Sequence, residues 1–167
     1  MSDVEEDSGP NQDSAIAGLT EAFSEAEFES SLGQSVITVP REQLAEFAAA
    51  ARDAGFDMCV DVTAVDYLKR IPRFDVVVNL VSLANKRRLR LRAGVPGGDP
   101  VAPTLTDVYP GTNFYEREVY DLLGIRFEGH PDLTRILLPD DWEGHPLRKD
   151  SSVGAVPVQF KSSNEVL

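Results

Sequence analysis

The 167-residue sequence predicts an α+β domain: a largely antiparallel four-stranded sheet in β-α-β-β-β order with helices packed on it, then an extended C-terminal segment pinned by proline and glycine. Three observations lead there. KRRLRLRA, from Lys86, alternates Arg88, Arg90 and Arg92 with Leu89, Leu91 and Ala93, the mark of a sheet covered on one face only. RFDVVVNLVSL, from Arg73, is apolar almost throughout and reads as a central strand; the link Ala84–Asn85 between the two is short enough for a hairpin. Beyond Gly124 the periodicity stops: GIRFEGHPDLTRILLPDDWEGHPLRKD is punctuated by Pro131, Pro139, Pro146, Gly129 and Gly144 and has no long repeat.

The remaining elements follow in order along the sequence. Residues 1–14, MSDVEEDSGPNQDS, read as a disordered acidic tail. Ile16, Leu19 and Phe23 are spaced for a short amphipathic helix within 15–29. Gln34–Val39 reads as a strand. Pro40 suits the first position of a helix through Leu44, Phe47, Ala48 and Ala51, which Gly55 ends. DMCVDVTAVDY, from Asp57, is the next strand, rich in β-branched residues. Residues 94–103, GVPGGDPVAP, read as a loop. The last helix is NFYEREVYDLLG, 113–124, with Asn113 as N-cap, Glu116 closing a capping box and Gly124 at its end. Tyr115, Val119, Leu122 and Leu123 give it an apolar stripe. Glu116, Arg117, Glu118 and Asp121 fall on the remaining surface, with Arg117 and Asp121 spaced for an ion pair worth about 0.2–0.5 kcal/mol. Three parts result: the tail (1–14), the α+β domain (15–128) and an extended partner-binding segment (129–167).

Composition narrows the function classes. The net charge is −12, and nine of the 28 acidic residues lie in 1–31, where there is no base. A protein without a basic surface does not hold nucleic acid by its phosphates. No apolar run is long enough for a transmembrane helix, and the acidic N-terminus lacks the apolar core of a secretory signal, so a cytoplasmic location is expected. The single cysteine, Cys59, rules out an internal disulfide framework and any cysteine-ligated cluster held by this chain alone. Flanked by apolar strand residues, it reads as a small buried hydrophobe and not a nucleophile. The glycines of GVPGG lack the strand–loop–helix setting of a phosphate-binding motif. The arginine face at 88, 90 and 92 reads as solvated or as a contact with an acidic subunit.

The two histidines both lie in copies of one tetrapeptide, EGHP, at Glu128–Pro131 and Glu143–Pro146. With Glu128, Asp132, Asp140, Asp141 and Glu143 nearby, His130 and His145 could form a two-histidine, one-carboxylate metal site in a free-standing enzyme. Each imidazole sits between glycine and proline, however, and the spacing is not that of a helical ligand pair. The preferred reading is architectural: imidazoles bonding backbone at turns or reaching a partner. Proline and glycine fix turns, whereas Leu133, Ile136, Leu137, Leu138 and Trp142 need burial. A long ordered segment without regular structure is uncommon unless it binds something, and tryptophan and arginine are enriched at such surfaces.

YEREVYDLLGIRFEGHPDLTRILLPDDWEGHPLRKD resembles the signature of the 30 kDa subunit of respiratory complex I, the NADH:quinone oxidoreductase. The match runs through Glu116-Arg117-Glu118, Asp121, Gly124, Gly129-His130-Pro131, Leu133, Arg135, Leu137, Pro139, Trp142, Gly144 and Pro146-Leu147-Arg148-Lys149-Asp150. VDVTAVDY and the strand order also fit, so the resemblance spans about residues 34–150. It implies a non-catalytic subunit in the peripheral arm, on the cytoplasmic side of the plasma membrane. Its neighbours would be the two subunits of the quinone module: the large 49 kDa subunit and the one that carries the terminal iron–sulfur cluster. No cofactor is implied in this polypeptide; FMN and the iron–sulfur clusters that pass electrons from NADH to quinone belong to partner subunits. The residues implied to grip partners are Glu116, Arg117, Glu118, Asp121, His130, Pro131, Arg135, Trp142, His145, Pro146, Leu147, Arg148, Lys149 and Asp150. The alternative is the equivalent subunit of a membrane-bound hydrogenase or a redox relative that takes electrons from ferredoxin to plastoquinone.

Overall fold

A computed structural model describes residues 14–151. The expected tail therefore lies outside the described residues except for Ser14, as does the extended segment beyond 151. The elements are α1 (Ser14–Ala22), β1 (Glu27–Ser31), β2 (Gln34–Val39), α2 (Leu44–Asp53), β3 (Met58–Asp66), β4 (Phe74–Ser82), β5 (Arg87–Val95), β6 (Val101–Pro103), α3 (Thr112–Leu123) and β7 (Arg126–Glu128). A short 3-10 turn, Arg41–Gln43, follows Pro40 and leads into α2. The main sheet has the order β1-β2-β5-β4-β3. Its pairs are antiparallel except β2 with β5, as expected of a largely antiparallel α+β sheet.

Burial in β5 follows the pleat, whereas the first five residues of β4 are all buried. Phe74, Val76, Val78 and Leu80 of β4, and Leu89, Leu91, Ala93 and Val95 of β5, point into one core with Leu44, Phe47, Ala48 and Ala51 of α2 and Val119 and Leu123 of α3. β5 pairs with both β2 and β4, so it sits at the centre and its odd-numbered residues form the floor of the core. Tyr109 is buried beneath this layer; its hydroxyl donates to the carbonyl of Phe56 at 2.7 Å, which ties the loop before α3 to the end of α2.

Two elements differ from the sequence expectation. The sheet has five strands rather than four: Glu27–Ser31, expected within the first helix, pairs with β2 as an edge strand. Its burial is low throughout and Phe28 is its only large apolar residue, so it carries no alternation to read. The signal lies in its turn, where Leu32 (φ 51°) and Gly33 (φ 74°) both adopt the left-handed backbone of a two-residue hairpin. The expected loop 94–103 also folds differently. Gly94 and Val95 finish β5, and Val101–Pro103 pairs in parallel with β7 as a separate two-stranded sheet. That small sheet brackets α3, because β6 precedes the helix and β7 follows it.

Removing a side chain from the floor should be costly. Leu91→Ala, at a position with no exposure, is expected to lower stability by about 2–5 kcal/mol in urea denaturation. Arg90→Ala, one residue away on the opposite face, should have a much smaller effect.

Candidate partner-binding surface

α3 starts at Thr112 after Gly111, with no side-chain cap bond, and ends on Gly124 in the left-handed conformation (φ 70°). The expected capping box does not form. Asn113 lies inside the helix, and the Glu116 carboxylate turns inward to accept from the Leu105 amide (2.7 Å) and the Thr104 hydroxyl (2.6 Å). Glu116 is wholly buried, and that burial raises its pKa against the pull of those two bonds. Its placement on the surface of the helix is thus corrected: it fixes the β6–α3 connection.

Asp121 is corrected in the same way. It has no exposure, and it does not pair with Arg117. The two side chains, one helical turn apart, instead take hold of the irregular segment that follows β7. Arg117 donates to the carbonyls of Thr134 (3.1 Å) and Arg135 (3.0 Å). Asp121 accepts from the amides of Ile136, Leu137 and Leu138 at 3.1, 2.8 and 2.9 Å, and from the Arg135 guanidinium at 2.6 Å. Backbone groups of five consecutive residues, none in a sheet or helix, are thus satisfied by two helix side chains. Burial alone would raise the Asp121 pKa. The amides of Leu138 and Leu137, the Arg135 guanidinium and the Ile136 amide outweigh it and bring the group to about 2.

The same segment closes the end of α3. The last carbonyls of a helix have no partner within it. Here the Asp121 carbonyl accepts from His145 Nδ1 (2.9 Å), the Leu122 carbonyl from the Leu147 amide (3.0 Å), and the Leu123 carbonyl from Arg148 Nε (2.6 Å). Arg148 also reaches the Gly124 carbonyl at 3.2 Å. Its positive charge lies at the negative end of the helix dipole, where it is favoured. Gly124 is needed for a second reason besides its φ: a Cβ there would collide with the His145 ring and with Arg148.

The two EGHP copies play matching parts. In each, the glycine is left-handed (Gly129 φ 86°, Gly144 φ 85°) and the next imidazole reaches a carbonyl of α3. His130 Nδ1 accepts from the Asp132 amide, so Nε2 carries the proton it gives to the Asn113 carbonyl (3.2 Å) in the first turn. His145 holds the last turn. Among the described residues no group of three or more His, Cys, Asp or Glu is placed to hold a metal ion. Cys59 is half-buried, and burial pushes its thiol up to about 12.

The segment ends on a latch. Asp66, at the end of β3, accepts from the Lys149 amide (2.8 Å) and from Arg73 Nη2 (2.7 Å), and Arg73 in turn holds Asp150 at 2.8 Å. The Arg73 guanidinium, and after it the amides of Lys149 and Leu68, hold the Asp66 carboxyl well below the usual carboxylate range despite burial. Arg73 and Asp66 were not among the residues expected here. They lie 77 residues or more from their partners in the segment, and no local pattern announces such a contact.

Most of the polar candidates are therefore consumed within the molecule. Pro131 and Glu118 are exposed, Pro146 and Trp142 half-buried. Trp142 offers its carbonyl to Arg135 at 2.9 Å. The segment's outward side carries charged residues such as Asp140, Asp141 and Glu143, and among them large apolar ones: Leu137 is 60% exposed, Leu147 58% and, on the first turn of α3, Phe114 60%. Single exposed hydrophobics are common. Three on the helix and the segment bound to it make this the candidate docking surface. No helix among the described residues is long and apolar enough to cross a membrane.

The described residues thus form an α+β sheet domain whose polar candidates build an internal strap. Comparison with known proteins gives it a family. The family model for the respiratory-chain NADH dehydrogenase 30 Kd subunit matches residues 37–156, and the protein belongs to that family. It is 52% identical over 120 residues to the C subunit of the NADH-quinone oxidoreductase of Geobacter sulfurreducens, covering 71% of this chain and 74% of that protein. The solved trypsin-resistant fragment of Nqo5 is 40% identical with a TM-score of 0.65, covering 71% of this chain and 99% of the fragment. A component of the membrane-bound sulfane sulfur reductase, an archaeal respiratory membrane complex, shares the fold with a TM-score of 0.76 at 23% identity, covering 92% of this chain and 97% of its own length.

Two outcomes test the strap. Asp121→Ala leaves the partly buried Arg135 and three amides without their acceptor, and should cost about 3–5 kcal/mol while speeding hydrogen exchange at 136–138. Acid should act on the same bond. The folded pKa of Asp121 lies below its unfolded value, so its stabilisation is complete above that value and is lost as pH falls. Emission from Trp142, the only tryptophan, should shift to longer wavelength as pH drops from about 4 through about 2, and be constant at neutral pH.

Proposed function

We propose that this protein is a non-catalytic peripheral-arm subunit of a proton-translocating NADH:quinone oxidoreductase, serving assembly and the rigid placement of the quinone-site subunits. The observation that carries this reading is the outward apolar set Phe114, on α3, with Leu137 and Leu147, on the segment already bonded along its backbone to that helix. Membership of the 30 kDa subunit family supports it. The partners would be the large 49 kDa subunit and the subunit that carries the terminal iron–sulfur cluster. FMN and the iron–sulfur clusters would sit in other polypeptides, and NADH and quinone would meet the complex there. The protein would reach the cytoplasmic face of the plasma membrane through those partners.

In this reading the polar strap residues act indirectly. Asp121, Arg117, Arg135, His130, His145 and Arg148 shape the segment, and the apolar tips touch the partner. The second reading keeps the role and changes the machine to a hydrogenase or a ferredoxin-dependent plastoquinone reductase. Since the fold also occurs in an archaeal respiratory membrane complex, fold alone does not choose the electron donor.

The test is co-purification from membranes in mild detergent with a tag on this protein. A companion that binds flavin and NADH is the expected result; a nickel-site companion would select the second reading, and recovery of the tagged protein alone would overturn both. Leu137→Asp with Leu147→Asp should lower recovery of the complex at least tenfold, the consequence of losing about 1.4 kcal/mol or more of binding. The circular dichroism of the isolated variant should be unchanged, because neither side chain is in the core.

A further inference from the structure

The face of the main sheet turned away from the helices carries a basic row that neither the core nor the strap uses. β5 places Arg88, Arg90 and Arg92 on it. Arg92 donates to the Thr38 hydroxyl at 3.1 Å and meets Glu29 of β1 at 3.2 Å. Arg90 spends Nε on Asn79 at 3.0 Å, and its terminal nitrogens have no partner among the described residues. Arg88 is exposed and makes no hydrogen bond or ion pair among them. Between Arg88 and Arg90 the sheet opens a hollow of about 360 Å³, walled by Gln34, Val60, Asp61 and Asn79.

Asp61 stands on one wall of the hollow, and the net charge of the protein is −12. Both weigh against a polyanion such as nucleic acid, whose binding scales with the number of phosphates neutralised. A short acidic peptide meets neither objection, and this protein contains one. Residues 1–13 hold Asp3, Glu5, Glu6, Asp7 and Asp13 and no base. The pattern has already begun within the fold, because Glu29, from the same base-free stretch, is the residue that meets Arg92. Distance also allows it. α1 shares a hollow with Phe28 of β1, the edge strand, and β5 lies two strands in from that edge. Rounding the edge and crossing to β5 takes about 10 Å in each of two directions. Residues 3–7 stand 7 to 11 positions before Ser14, a reach of roughly 23–40 Å when extended.

We propose that the acidic segment Asp3–Asp7 docks on Arg88 and Arg90, on the open face of its own sheet. Tethering raises its effective concentration to the order of mM, so it holds the row against acidic surfaces of other polypeptides that bind more weakly. The contact is electrostatic and lies at the surface, so salt weakens it.

The experiment uses the full-length protein with a nitroxide at Val4→Cys in a Cys59→Ser background. At about 10 mM salt, where the Debye length is about 30 Å, the backbone amides of 88–92 should lose most of their NMR intensity. They should regain it near 1 M salt, where that length is about 3 Å. Arg88→Glu with Arg90→Glu should abolish the loss at both. Full intensity at low salt, or broadening that survives the charge reversal, overturns the proposal. Should Cys59→Ser fail to fold, the unlabelled protein gives the same answer. The Arg88 and Arg90 side-chain Nε–H signals should move when Glu5, Glu6 and Asp7 are replaced by their amides, and signals that stay in place overturn it.

Discussion

The course of the irregular segment from Thr134 to Arg148 depends on one buried carboxylate. Asp121 is closed off from solvent, yet it stays ionised because three consecutive amides and a guanidinium converge on it. A buried charge without such partners is expensive, and one this well supplied is stable. The rest of the strap follows from it. Once residues 136–138 are drawn to α3, Arg117 can hold the carbonyls just before them, and the backbone that follows is led back over the exposed end of the helix.

The main sheet makes that arrangement possible by holding α3 still. The helix packs its Val119 and Leu123 into the same core that β5 floors and α2 covers. Glu116 and the β6–β7 pair fix its start and its approach. A helix so placed presents Arg117 and Asp121 along one edge at the spacing of a single turn. The latch from Asp66 and Arg73 to the far end of the strap then ties the β3–β4 hairpin to the segment as well. The ion pair to the half-exposed Asp150 adds little on its own; the amide of Lys149 on buried Asp66 is the stronger part.

Much of the sheet was legible because burial in β5 obeys the pleat, which Arg88 to Ala93 spell out, and β4 is apolar almost throughout. β1 was not, since an edge strand with one large apolar residue has no period to detect. The helical reading of 113–124 was right in extent to one residue at each end but wrong in its polar face. Spacing rules treat Arg117 and Asp121, four apart, as neighbours along a helix. They carry no information about an irregular segment arriving from outside to claim those groups. Both histidines show the same limit. That they bond backbone at turns could be read from Gly-His-Pro, but not that one copy clips the start of α3 and the other its end. Which side chains were left outward could be found only by subtraction, after the internal bonds were known.

The strap draws on residues spread over most of the sequence, from Asp66 in β3 to Asp150. A molecule whose sheet has not formed lacks the latch, and one whose α3 has not docked lacks the anchor for 134–138. Leu137 and Leu147 are therefore held in place only when both α3 and the β3–β4 hairpin are formed. In the proposed docking the segment gives up little freedom on contact because its backbone is already committed, and the entropic penalty that weakens the grip of a loose peptide is largely settled at the time of folding.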